Sequence, residues 1–314
     1  MKRGGPLLRG LAASVCVSAL GARAAEAQVT GKQDDKLPAA FVDRSLVLPR
    51  LWLTSELDGS LSHLESEWGP AGSEDNGGWL DLGGAISVLD DLELEATVAS
   101  INFGSIGISA IGSYRNISNS PFAEVDTAPV HWGMAKLGAT FRFLAADEVE
   151  MGLRFRILVD REATVGLNGG LPVLLHGNRY ARVDTGIAFV GRIPKQDETF
   201  SDTGPSLGLV DVSQNPMAPD AGIPVRVALQ PVAEVWFGLN TGIGAFDVTF
   251  DESLFVPLGA SIGGTIALER VVFDLVAAFN FPALIRPVAA AQGENFYSEL
   301  WQLGLAFKAH AGLL

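Results

Sequence analysis

The sequence predicts an all-β chain folded as a single antiparallel, up-and-down transmembrane β-barrel of about twelve strands. Three observations carry that expectation. The 314 residues are 48% hydrophobic and 18% charged, with a mean hydropathy of +0.27, yet past the N-terminus no stretch has the roughly 18 uncharged apolar residues that a membrane helix needs. Apolar and polar residues alternate with a period of two over most of the chain, which places them on opposite faces of strands. Most of these runs are longer than ordinary globular strands and near the length that crosses hydrocarbon at a tilt. In lipid every backbone N–H and C=O must be paired, and for strands only a closed sheet achieves this.

Composition removes several other classes. The apolar fraction excludes disorder as the main state, and 36 Asp and Glu against 22 Lys and Arg leave no basic footprint for nucleic acid. A single cysteine, Cys16, excludes a disulfide scaffold or a cysteine-based zinc ribbon. Residues 1–27 have the layout of a secretory signal peptide: Lys2, Arg3 and Arg9, an apolar stretch from Leu11 to Leu20, then Ala25-Glu26-Ala27. Cleavage there leaves 18 basic and 35 acidic residues, a net charge of −17. Residues 28–49 read as a polar periplasmic lead-in, and 50–314 as the outer-membrane barrel.

Along the barrel, Leu51, Leu53, Leu57 and Leu61 alternate with Trp52, Thr54, Glu56 and Asp58. Two hairpins follow. The first turns at Leu89-Asp90-Asp91 between Leu80–Val88 and Leu92–Val98; the second turns at 145–148 between Ala135–Phe143 and Val149–Val159. Further strands are expected at 181–191, 225–229, 233–243, 255–266, 271–281 and 301–309, with short turns at 230–232 and 268–269. Long connections rich in glycine, proline and asparagine are expected at 62–77, 104–131, 161–178, 214–221, 244–252 and 282–296. Short and long connections alternate, as they do when turns lie on one side of a membrane and loops on the other. Eleven strands are clear; 206–213 supplies a weak twelfth, favoured because bacterial barrels have even strand numbers.

The segment Gly83-Gly84-Ala85-Ile86-Ser87-Val88-Leu89-Asp90-Asp91-Leu92-Glu93-Leu94-Glu95, a glycine-containing strand, acidic turn and returning strand, resembles hairpins of bacterial outer-membrane β-barrels. Residues 223–242 look similar. Such hairpins occur in porin-like and channel-like families, including those grouped with phenol-degradation-pathway transporters. The resemblance covers roughly 51–309 and implies location in the cell outer membrane, contact with its lipid, folding by the barrel-assembly machinery, and transport of a small-molecule solute. One departure is the C-terminus, which ends Gly312-Leu313-Leu314 rather than on an aromatic; Trp301, Leu303, Leu305 and Phe307 keep the alternation further in.

With the apolar sets turned to lipid, the lumen receives a definite charge layout. The first three strands supply Glu56, Asp58, Asp81, Glu93 and Glu95; the next supply Lys136, Arg142, Arg154, Arg156 and Arg182, accompanied by Glu150, Asp160 and Asp184; Arg226, Glu234, Asp274 and Lys308 come later. Two readings stand side by side. One is a transverse field across a water-filled constriction, selecting solutes by charge. The other is a network of ion pairs filling a narrow barrel, because buried charges must pair. The functional expectation is accordingly a passive channel for small solutes with charged walls, and its alternative a non-transporting barrel that presents surface loops.

No enzyme, cofactor or metal is expected. His63, His131, His176 and His310 form neither a His–Ser nor an acid–His arrangement and are too scattered for a metal cluster. Gly104–Gly107 and Gly259–Gly264 lack the spacing of nucleotide loops and suit bends in a curved sheet. Trp79, Trp132, Tyr180, Tyr297 and Trp301 fall near strand ends, where interfacial aromatics belong. Trp52 and Trp236 fall on the lumen face, positions suited to packing, to narrowing a pore, or to stacking on an aromatic solute.

Overall fold

A computed structural model describes residues 36–66, 73–104, 131–132, 135–159, 165–193, 220–245, 254–285 and 300–313. The signal peptide expected at 1–27 and the weak strand expected at 206–213 lie outside these residues. The strands are β1 (Trp52–Ser66), β2 (Ser73–Leu89), β3 (Leu92–Gly104), β4 (His131–Trp132), β5 (Ala135–Ala145), β6 (Val149–Val159), β7 (Val165–Asn178), β8 (Ala181–Ile193), β9 (Asp220–Val232), β10 (Val235–Ala245), β11 (Leu254–Ala267), β12 (Val271–Ile285) and β13 (Leu300–Gly312). Twelve of them close into one antiparallel ring, in which β3 pairs with β5 and β13 returns to β1. The two-residue β4 pairs only with β3, at Ile101 and Asn102, and stands as an extra strand beyond the end of the β3–β5 ladder.

The alternation read from the sequence decides which way each strand faces. Leu137, Phe141 and Phe143 on β5 and Leu153, Phe155 and Ile157 on β6 are exposed, as are Leu303, Leu305 and Phe307 on β13. Their neighbours Thr140, Arg142, Arg154, Gln302 and Lys308 are buried. This is the inverse of a soluble protein and the pattern of a barrel whose outer face meets lipid.

Two of the expected connections are occupied by strand: most of 62–77 belongs to β1 and β2, which pair as far as Ser66 and Ser73, and a whole strand replaces another. Residues 161–178 read as a loop, whereas Val165–Asn178 forms β7 and is the twelfth member of the ring. Its four glycines, proline and asparagines mimic loop composition. The period-two signal is present in Leu167, Leu171, Val173 and Leu175, but Gly169 interrupts it and Leu174 faces inward. The ring of Phe189 on β8 lies over Gly169 and takes the place of its missing side chain. The turn expected at 230–232 also shifts: β9 runs through Val232, and Ala233-Glu234 make the turn.

Prolines within the strands shape the wall, and two of them face glycines. Pro172 lies opposite Gly186, and Pro224 opposite Gly242. Proline cannot donate to the ladder, and the registers beside it lose rungs, passing from Met151↔Val173 to Arg154↔Gly170 and from Asp184↔Arg226 to Ala188↔Gly222. Gly186 and Gly242 have φ of 141° and 149°, a region that side chains avoid.

The buried apolar side chains are concentrated inside the ring. Leu37, Phe41, Val42, Leu46, Val47 and Leu48 all precede β1 and are all buried. Phe41 packs in a cluster with Ala228, Trp236, Val276, Ala278 and Ala306, and Leu37 and Leu48 pack with Trp52 and Val272. Because this segment contacts side chains on opposite parts of a closed ring, it lies within it. A three-residue 3-10 turn, Phe41–Asp43, bends it. At Leu51, with φ of 60°, the chain leaves the interior and joins the wall. Its entry is tied by Leu51 N–H to Ser87 O and by Leu313 N–H to Leu51 O.

Candidate lumen site

A segment buried inside a barrel brings main-chain N–H and C=O groups that must find partners. The inward-facing side chains supply them. Gln230 Oε1 accepts from Val42 N–H at 2.9 Å, Glu150 Oε2 from Leu46 N–H at 2.9 Å, and Glu93 Oε2 from Leu48 N–H at 3.2 Å. In the other direction, Arg182 Nη1 donates to both Phe41 O and Arg44 O at 2.9 Å. His176 Nδ1 lies 3.1 Å from Val42 O. These groups come from β3, β6, β7, β8 and β9, so residues 36–50 are held from around the ring.

Side chains of the segment add two anchors. Arg44 forms a two-pronged pair with Asp274, with Nη2 3.0 Å from Oδ1 and Nη1 on Oδ2, while Nε donates to Pro38 O. Asp274 also accepts from Thr265 Oγ1 at 2.7 Å and meets His310 Nε2 at 2.9 Å, and His310 Nδ1 is 2.8 Å from Thr54 Oγ1. Phe41 provides the second anchor. Its ring stacks on Trp236 with centroids 4.3 Å apart and planes 15° apart. The guanidinium carbons of Arg182 and Arg226 lie 4.4 Å and 5.2 Å from the same ring centroid. Trp236 reaches this position because Gly263 and Gly238 flank it, and a Cβ on Gly263 would overlap the indole.

The candidate lumen residues group by level. Near the short turns, Arg142 bridges Asp91, Glu150 and Ser45, while Arg182 and Arg226 share Asp184 at 2.6 and 2.7 Å. Glu93 belongs to this level through Leu48. Further along the barrel, Lys136 pairs with Asp81 at 2.9 Å and Lys308 with Glu56 at 2.8 Å. Arg154 and Arg156 both pair with Glu95. Glu95, Gly138 and Arg156 occupy one row across β3, β5 and β6. The absent side chain at Gly138 opens the path, since a Cβ there would stand 2.5 Å from Arg156 Cγ and 2.8 Å from Glu95 Oε1. Asp58 faces Asp81 directly across the β1–β2 ladder, and one oxygen of each carboxylate has no hydrogen-bond partner.

Acidic and basic strands are therefore neighbours whose charges meet along the wall. The paired candidates face inward, but Glu234, expected on the lumen face, lies exposed in the turn after β9, and Asp160 falls outside the described residues; the residues that organise one end of the lumen include several that the sequence reading passed over: Phe41, Arg44, Ser45 and Gln230. The available signal was the spacing of Leu37, Phe41, Val42, Leu46, Val47 and Leu48 within a stretch read as a polar lead-in. Among the described residues no group of His, Cys, Asp or Glu is arranged to hold a metal ion.

No protein-family model matches the chain, and no curated protein matches it. Solved structures similar to it include an outer-membrane channel from Pseudomonas putida F1, 15% identical, covering 84% of this chain and 97% of that one with a TM-score of 0.48. The NanC porin is 6% identical over 82% of this chain and all of its own, with a TM-score of 0.46. The translocator domain of the autotransporter NalP from Neisseria meningitidis is 9% identical over 83% of this chain and 87% of its own, at a TM-score of 0.46.

Proposed function

We propose that the chain is an outer-membrane channel for passive passage of small solutes, stoppered at its periplasmic end by residues 36–50. The observation that carries this reading is the stopper. Eight strands enclose only as much space as wall side chains fill, and larger rings leave room. Here twelve strands hold a stretch of separate chain, so the lumen has the girth to hold a solute. Beyond the segment and apart from Lys308 on β13, the inner face of β7 to β13 presents small or amide side chains, among them Asn168, Gly170, Ala188, Ser261, Asn280 and Gly304, opposite the charged side chains of β1, β2, β3, β5 and β6. Short turns of outer-membrane barrels face the periplasm, which puts the segment at that end and the longer connections outside the cell.

The paired charges retain a role in this reading. Glu95 with Arg154 and Arg156, and Asp81 with Lys136, present local dipoles to a permeant at close range. Glu56, Asp58, Glu93, Arg142, Arg182 and Arg226 complete the proposed charged lining. A non-transporting barrel, permanently filled, is favoured by the number of hydrogen bonds holding the segment. Liposome swelling separates the two. Protein carrying Arg44→Ala is expected to admit neutral, cationic and anionic solutes at rates that fall with solute size, faster than the parent. Absence of swelling from both proteins would favour the filled barrel.

A further inference from the structure

The contacts of Phe41 describe a ligand. A flat ring lies against the Trp236 indole, two guanidiniums cover the ring, and one of those guanidiniums donates from a single nitrogen to two oxygens, Phe41 O and Arg44 O. We infer that Trp236, Arg182 and Arg226 form a binding site for an aromatic carboxylate, occupied in this structure by the chain's own residues 41–44. The proposal rests on the channel reading in one respect only: the segment must be able to leave.

Each part of the site selects one feature of the ligand. Stacking on an indole and under guanidiniums favours a π-face, since cations are drawn to the ring quadrupole and flat rings pack offset on one another. A saturated ring of the same size offers no such face. Arg182 Nη1, which meets two carbonyl oxygens, is left needing acceptors when the segment leaves, and a carboxylate supplies a charge-assisted acceptor beside two guanidiniums that share a single Asp184. Asp184 accepts from Arg182 Nε and Nη2 and from Arg226 Nε, and so fixes both guanidiniums whether or not Phe41 is present. Arg182 is fully buried and Trp236 nearly so, and the slot for the indole is carved by Gly263 and Gly238. The site is thus part of the wall itself.

Because the segment and the solute use the same atoms, each weakens the binding of the other, and a solute that binds there displaces the stopper. Arrival of the ligand and opening of the periplasmic end become one event.

Equilibrium dialysis of the detergent-solubilised protein against labelled benzoate tests this without any measurement of transport. Phe41→Ala, which removes the competing ring, is expected to bind benzoate at least tenfold more tightly than the parent. The same variant is expected to bind cyclohexanecarboxylate and benzyl alcohol at least tenfold more weakly than benzoate. Equal affinity of parent and variant, or benzyl alcohol binding as well as benzoate, overturns the proposal; the second outcome marks an ordinary cavity left by the lost ring. A second measurement keeps Phe41 intact. With Cys16 replaced by Ser and Ala40→Cys introduced, benzoate is expected to accelerate maleimide labelling of position 40 severalfold, and an unchanged rate contradicts displacement. A barrel silent in transport assays yet positive here would sink the channel reading and leave this one standing; the reverse result would do the opposite.

Discussion

Gly138 lets Glu95 receive two guanidiniums, because a wall strand without a side chain at that row allows Arg156 to cross it. Gly138→Leu is expected to separate Glu95 from Arg156 and lower stability by about 1–3 kcal/mol, read as a lower temperature for heat-modified migration on gels. Glu95→Gln keeps the shape and removes the charge. Arg154 and Arg156 then face the lumen without that carboxylate, and the reversal potential in a salt gradient is expected to shift toward anions; an unchanged value would remove these residues from any selective role. Asp184 carries a different burden, since it is buried and holds two buried arginines. Removing one partner of such a group typically costs about 3–5 kcal/mol, so Asp184→Asn is expected to lower stability by that order, with Asp91→Asn, at a more exposed pair, costing markedly less.

At the scale of elements, the segment before β1 depends on Arg44 and Asp274 for its one ion pair among the described residues. Asp274→Asn is expected to expose Arg44 to trypsin in the intact barrel, with cleavage at least tenfold faster than in the parent; equal resistance would mean that the main-chain hydrogen bonds suffice alone. How far each element was legible follows from the same physics. β5, β6 and β13 were readable because Leu137, Phe141, Leu153, Phe155, Leu303 and Phe307 carry an unbroken outward series. β7 was not, because its outward position 169 is a glycine covered by a ring from the neighbouring strand, a relation that exists only once β8 is beside it. The inward direction of Glu56, Asp81, Arg154 and Arg182 was legible from alternation, but their partners were not. Glu95 meets Arg156 across a third strand, and Asp274 meets a residue 230 positions away. The buried state of residues 36–50 left even less trace, since its hydrogen bonds are made mainly by backbone groups that every sequence possesses.

For the whole molecule, closure and burial divide the work. Outward leucines and phenylalanines give the ring its place in lipid, while the interior that a larger barrel leaves open is taken at one end by a piece of the same chain. The ring itself is expected to migrate differently on gels before and after heating, and variants of the segment are expected to preserve that behaviour, because the wall's ladders do not pass through it. The central claim is that residues 36–50 stopper a conducting lumen, and single-channel recording in planar bilayers tests it most directly. Phe41→Ala with Arg44→Ala, which removes both side-chain anchors, is predicted to give larger or longer openings than the parent protein under the same voltage and salt. Two proteins equally silent, each shown by heat-modified migration to be folded, would contradict it.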